Sequence, residues 1–133
     1  MLNAQSLCNK IPDLHQLILT TSFKIIFVTE SWLSDSFSDS MLNVDNQFQV
    51  FRNDRALRRG GGVCALVSHE FKCVRLILSD QDRALLDQSQ CQLTHFDIIV
   101  SGSKYRIILV YRPPSTSIDQ TKLFIATKSL VDL

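Results

Sequence analysis

A chain of 133 residues is long enough for one domain with a core of its own. Apolar residues make up 45% and charged residues 20%, which is globular composition and excludes a disordered polyelectrolyte. The formal net charge of +1 excludes attraction to nucleic acid by the protein surface as a whole, so such affinity has to come from a local patch.

In chain order, Leu2 and Asn3 read as the end of a first strand. Pro12 suits the first turn of a helix over residues 12–19, with Leu14, Leu17 and Ile18 at helical spacing. Residues 23–28 are nearly all apolar, broken only by Lys24, the pattern of a central strand covered on both faces and expected over 24–29. Residues 34–40 are a polar loop rich in Ser and Asp. Phe48, Val50 and Arg52 mark a short strand, and Gly60-Gly61-Gly62 leads into a buried strand over 63–67. Residues 71–78 are a further strand segment neighbouring it. Residues 80–92 are polar apart from Leu85 and Leu86, which predicts a loop or a short helical turn. Strands over 96–100 and 105–110 flank Ser101-Gly102-Ser103, a tight hairpin with glycine at a positive φ. Pro113-Pro114 ends the last strand. Ser117 and Gln120 then form a capping box for a helix over 117–131.

This order predicts an α/β (α+β) domain with a mixed, mainly antiparallel sheet and helices on one face. No apolar run is long enough to span a bilayer, so no membrane partner is expected. Residues 1–21 lack a basic segment ahead of apolar ones, and Pro12, Asp13 and His15 interrupt them, so they do not read as a secretory signal. Cys8, Cys64, Cys73 and Cys91 form no C-x-x-C pair and read as reduced thiols packed as small apolar groups inside a cell.

Several residues carry candidate chemistry, each with a plainer alternative. Glu30 ends the second strand, where a carboxylate can offer hard oxygens to Mg²⁺ or simply face solvent. Asn3 can orient a phosphate or serve a turn. Tyr111, at a strand end, can donate to a phosphate oxygen or border a core. Arg52, Arg55, Arg58 and Arg59, offset by Asp54, suit a nucleic-acid backbone or a solvated loop. The three glycines are not followed by G-K-[ST] or by a helix, so they are no nucleotide loop. They allow an unusual backbone or a close approach instead. His15, His69 and His95 have no partners at metal or triad spacing.

Four segments in order carry a resemblance. Leu2-Asn3-Ala4-Gln5-Ser6-Leu7 with Asn9-Lys10 resembles the opening motif of the apurinic-endonuclease-like domain of non-LTR (LINE-type) retrotransposons. Thr29-Glu30-Ser31-Trp32-Leu33 is similar to the second motif. Arg52-Asn53-Asp54-Arg55 with Arg58-Arg59-Gly60-Gly61-Gly62-Val63 is similar to the third, and Val110-Tyr111-Arg112-Pro113-Pro114-Ser115 to the fourth. The wider group is the endonuclease/exonuclease/phosphatase superfamily. The resemblance implies a four-layer α/β sandwich and Mg²⁺-dependent hydrolysis of a DNA phosphodiester, in the nucleus rather than the cytoplasm. Glu30 is then the metal ligand. Asn3 orients the phosphate network, Tyr111 hydrogen-bonds the scissile phosphate, and Arg58, Arg59 and Arg112 bind nucleic acid.

The chain also departs from that pattern. Gln5 stands where apurinic enzymes place a metal-facing Asp and many retrotransposon relatives an Arg. The Gly-Asp-Phe-Asn motif and the final Asp-His pair, which supply the general base, are not in the sequence. The expectation is a single truncated domain over 1–133, the amino-terminal half of the sandwich, inactive alone. The alternative is a non-catalytic, domesticated remnant that binds DNA or protein weakly. A half sandwich leaves one apolar sheet face for water or for a protein partner, forfeiting on the order of 10 kcal/mol.

Overall fold

The computed structural model describes residues 1–56 and 59–114. Within them run β1 (Leu2–Asn3), α1 (Ile11–Thr20), β2 (Ile25–Thr29), α2 (Asp39–Leu42), a 3₁₀ turn (Val44–Asn46), β3 (Phe48–Asn53), β4 (Val63–Ser68), β5 (Lys72–Arg75), α3 (Asp80–Ser89), β6 (Gln92–Val100) and β7 (Ser103–Tyr111). The helix expected over 117–131 lies outside the described residues.

The strands divide between two sheets. The first has the order β1-β2-β4-β3, with β1 parallel to β2 and the other pairs antiparallel. The second is the antiparallel set β5-β6-β7. This corrects two expectations. The chain does not form one sheet with helices on one face, and no sheet lacks its mate. Residues 72–75 pair with β6 rather than with β4. The face expected to meet water or a protein partner is covered by the same chain. Phe51, Val63, Ala65 and Val67 of the first sheet pack on Phe96, Ile98 and Leu109 of the second. Phe51 and Phe96 stack with ring centroids 4.1 Å apart.

Each outer face carries a helix. Leu14 and Ile18 of α1 pack on Ile26, Val28, Cys64 and Leu66. Leu86 of α3 joins Cys91 and Leu93, with Ile108 and Val110 against them. The layering is therefore helix, sheet, sheet, helix. β4 lies in the middle of it and is buried at every position, because one face meets α1 and the other the second sheet. All four cysteines are free. Cys64 lies within the first sheet, where burial pushes its thiol up to about 12. No helix among the described residues is long and apolar enough to cross a membrane.

Residues 80–89 are a full ten-residue helix, longer than the loop or short helical turn expected over 80–92. Its start is set by Ser79, whose Oγ accepts the backbone N–H of Asp82 at 3.1 Å. Its polar composition follows from how little it buries: Leu86 and Ser89 alone are buried. The β6–β7 hairpin turns through Ser101 at φ +50° and Gly102 at φ +81°, flanked by the pair Val100–Ser103. Positive φ at both central residues is the two-residue turn that matches strand twist.

Two stability outcomes follow. Phe96 is fully buried between the sheets, so Phe96→Ala is expected to cost about 3–5 kcal/mol in a denaturant titration. A loss below about 1 kcal/mol would mean that the sheets do not pack through this ring. The second concerns His95, which is buried. Burial, then the charge of Arg106, holds its imidazole below the usual 6.5. The unfolded chain therefore binds the proton more readily. Stability is full above about pH 6.5 and falls as the pH drops through the depressed value. Asp97, held below the usual carboxylate range by its hydrogen bonds to Arg106, adds a loss only further down, below about pH 3.8. Thermal melts between about pH 7 and about pH 5 should show Tm declining, and His95→Gln should flatten the decline. An unchanged slope in the variant would exonerate His95.

Candidate functional site

The carboxyl end of β2 is held from both sides by backbone hydrogen bonds. On one side Ala4 N–H donates to Thr29 O at 2.9 Å, Ser6 N–H to Glu30 O at 3.0 Å and Leu7 N–H to Ser31 O at 2.8 Å. On the other, Ser31 N–H donates to Gly62 O at 3.3 Å and Trp32 N–H to Gly61 O at 3.0 Å. Within this clamp Gln5, Ser6, Glu30 and Trp32 all adopt positive φ. Non-glycine residues pay roughly 1–3 kcal/mol each for such backbone, and they gather at functional rims.

The glycines make the clamp possible, as a close approach. A Cβ on Gly61 would lie 2.4 Å from Gln92 Oε1, and one on Gly62 2.5 Å from Ser31 Oγ. Gln92 is itself buried and accepts the Gly62 N–H at 3.2 Å. Asn53 Nδ2 donates to Leu93 O at 2.8 Å. These two side chains tie the first sheet to the second along the rim.

Across that tie stands Tyr111, the last residue of β7 and the register partner of Gln92. Its hydroxyl donates to Glu30 Oε1 at 2.9 Å, joining residues 81 positions apart. Burial, then the hydrogen bond to Glu30 and its charge, raises the phenol above its usual value, while Arg55 pulls it the other way. Tyr111 therefore keeps its proton at neutral pH and is a donor. Asn3 pairs with Thr29 at the same strand end. It is exposed, and its amide has no hydrogen-bond partner among the described residues.

The arginines divide into two groups. Arg52 is held by Asp54 at 2.8 Å and Asp39 at 3.3 Å, and it also donates to Ser34 O. Its charge is thus spent locally, which the sequence cluster did not reveal. Burial raises the pKa of Asp54 although Arg52 opposes it. Arg59 is exposed and lies over the Trp32 ring, 5.1 Å from its centroid. Arg112 is exposed directly after Tyr111. Arg58 lies outside the described residues. Trp32 Nε1 and Ser31 Oγ are buried at the rim without a hydrogen-bond partner among the described residues. A cavity of about 500 Å³ beside Trp32 is bounded by Ser6, Asn9, Arg55 and Arg59. Glu30 and Tyr111 are not among the residues that line this cavity.

As a metal site the rim is sparse. No three His, Cys, Asp or Glu side chains gather among the described residues. Glu30 offers one carboxylate, and one of its oxygens already accepts from Tyr111. Mg²⁺ is commonly held by one or two carboxylates with water and substrate phosphates. Glu30 suits that partial role and does not amount to a preformed cage. Gln92 is the rim residue the sequence did not single out, while Trp32 stood only within the second family-like motif. Arg55 carried a signal there as one of four clustered arginines.

Compared with protein-family models and with curated proteins, the chain matches none.

The clamp yields a direct test. Gly61→Ala introduces a Cβ at φ +72° against Gln92. The backbone term alone is expected to cost roughly 1–2 kcal/mol. Gly102→Ala, with open space around its Cβ position at φ +81°, should lose only the backbone term. Equal losses in chemical denaturation would mean that the Gly61–Gln92 contact is unimportant.

Proposed function

We propose that this chain is part of a Mg²⁺-dependent DNA endonuclease domain of the kind encoded by non-LTR (LINE-type) retrotransposons, in the endonuclease/exonuclease/phosphatase superfamily, acting in the nucleus. The observation that carries this reading is the 2.9 Å contact between Tyr111 and Glu30. Each belongs to a separate segment similar to a family motif, and the fold joins them at the strand end where Asn3 also lies. The helix–sheet–sheet–helix layering is compatible with the four-layer sandwich of that superfamily.

In this reading Glu30 is the protein's ligand to Mg²⁺, which when bound neutralises charge on the phosphate and the leaving oxygen. Tyr111, protonated at neutral pH, turns its hydroxyl from Glu30 to a phosphate oxygen. The Asn3 amide orients the same phosphate. Arg59 and Arg112, with Arg58, hold the backbone on either side. The Gly-Asp-Phe-Asn and Asp-His segments from which that family draws its general base are not in this sequence, so in this reading these residues bind and position without completing hydrolysis. That sparse carboxylate set also favours the second reading, a non-catalytic remnant that binds DNA or a protein.

Binding measurements separate these. Fluorescence anisotropy with a labelled DNA duplex should show affinity that Mg²⁺ increases, and Glu30→Gln should abolish the Mg²⁺ increment. Equal Mg²⁺ responses in both proteins would remove Glu30 as ligand, and no DNA binding at all would sink the endonuclease reading. The chain alone should not nick supercoiled plasmid above a Glu30→Ala control. Loss of a general base removes about 10²–10⁴-fold in rate. Strong Glu30-dependent nicking would show that the chain is catalytically sufficient.

A further inference from the structure

A second surface, which the sequence did not flag, opens from the same rim. Two adjoining cavities of about 390 and 610 Å³ share Asn53, Leu78, Arg83 and Asp87 in their walls. Together they form one groove between α3 and residues 53–56. Arg75 and His95 stand at its far end, and Arg55 and Gln92 at its near end.

The charge in this groove is unevenly matched. Arg52 and Asp54 neutralise each other on one wall. Arg75 is fixed by donating to Val50 O at 2.6 Å and by lying 4.7 Å from the Phe51 ring centroid, and neither partner is anionic. Arg55 and Arg83 make no side-chain hydrogen bond or ion pair with the described residues, and Arg83 is exposed on α3. Among the described lining residues the one carboxylate besides Asp54 is Asp87, with Asp82 acting on His95 at the far end. Leu78, Leu86 and Cys91 line the floor. Guanidinium groups above an apolar floor suit a polymer with regularly spaced phosphates and flat sugar and base faces.

Continuity decides which polymer. Gln92 lines the groove and pairs in register with Tyr111. Partners in an antiparallel pair lie about 4.5–5.5 Å apart. A strand whose phosphate rests at Tyr111 and Glu30 thus has the groove mouth within one nucleotide's reach.

We propose that this groove is a second nucleic-acid contact, with Arg83, Arg75 and Arg55 receiving phosphates that flank the one at Glu30 and Tyr111. It rests on the DNA reading of the rim and extends the footprint from the rim loops to the outer side of the second sheet. Arg83 is the residue to test, because its side chain is exposed and makes no hydrogen bond or ion pair with the described residues. Arg75 is not, because its removal would uncover Phe51.

The experiment is a salt series of DNA-binding isotherms on the whole chain, with a labelled duplex. Arg83→Ala should weaken binding and lower the slope of log K against log salt by about one, the signature of one lost phosphate contact. Arg83→Glu should weaken it further. Lys72→Glu makes the same charge change in β5, outside the groove walls, and should alter affinity far less. If Arg83→Glu and Lys72→Glu weaken binding equally, the groove is overturned as a contact while the rim stands. If Arg59→Ala weakens binding and Arg83→Ala leaves the slope unchanged, the same conclusion holds. If the unsubstituted chain binds no DNA, the DNA reading of the rim fails and takes the groove with it. Far-ultraviolet circular dichroism of Arg83→Ala should match the parent, since no side-chain hydrogen bond or ion pair with the described residues is removed.

Discussion

The face-to-face packing of the two sheets is the constraint on which the rest depends. Sheets pack about 10 Å apart only when both inner faces are apolar and interdigitate. Here Phe51 and Phe96 provide the contact from opposite sides, stacked with their planes 18° apart. That packing fixes the height of β7 over β2. Tyr111 then reaches Glu30 across the gap, although no local sequence relation connects them. A single sheet would have placed these two residues in the same layer or not together at all. The rim chemistry is thus a consequence of core packing.

A second consequence is the concentration of strained backbone at one end. The strand ends are crowded because β1 and the loop before β4 must both bond to residues 29–32. The peptide groups there have to point alternately to two neighbours, and positive φ at Glu30 and Trp32 is how the chain satisfies both. Glycine at 61 and 62 lets the second neighbour come close enough. Strain of this kind persists only where surrounding bonds over-determine it. It holds Glu30 in one orientation, which is what a ligand to a metal or a phosphate network requires.

Much of the framework was legible in the sequence. Ile25–Thr29 and Val63–Ser68 showed as apolar runs because both of their faces are covered, and the α1 stripe of Leu14 and Ile18 showed because one face is. The unusual glycine backbone was legible because no helix or phosphate motif follows it. Sheet membership was not. Apolar alternation says that a strand has a buried face and does not say which strand supplies the cover, so β5, β6 and β7 could not be separated from the first sheet. α3 was illegible for a related reason: a helix that buries little beyond Leu86 lacks the stripe that marks helices. At the site, Glu30, Tyr111 and Asn3 were found through similarity to family motifs rather than through their own chemistry. Gln92 left no trace, since a lone glutamine reveals its role only when the backbone it bonds is in place.

The arginines show the same limit from the opposite direction. In the sequence Arg52, Arg55 and Arg59 read with Arg58 as members of one basic cluster. In three dimensions Arg52 is bound by two carboxylates, Arg59 covers an indole, and Arg55 lies between the rim and the groove. A guanidinium already neutralised gains little from a phosphate, because it must give up an ion pair to make one. In the proposed reading, affinity for a polyanion would rest on guanidinium groups with no carboxylate partner among the described residues, such as Arg59 at the rim and Arg83 on α3. A chain with a net charge of +1 would in the same reading hold a polyanion through local cations, while four of its carboxylates are paired elsewhere: Glu70 with Lys24, Asp97 with Arg106, and Asp39 and Asp54 with Arg52. In that reading the separation of paired from unpaired charge, rather than the total, would set where a phosphate backbone is held.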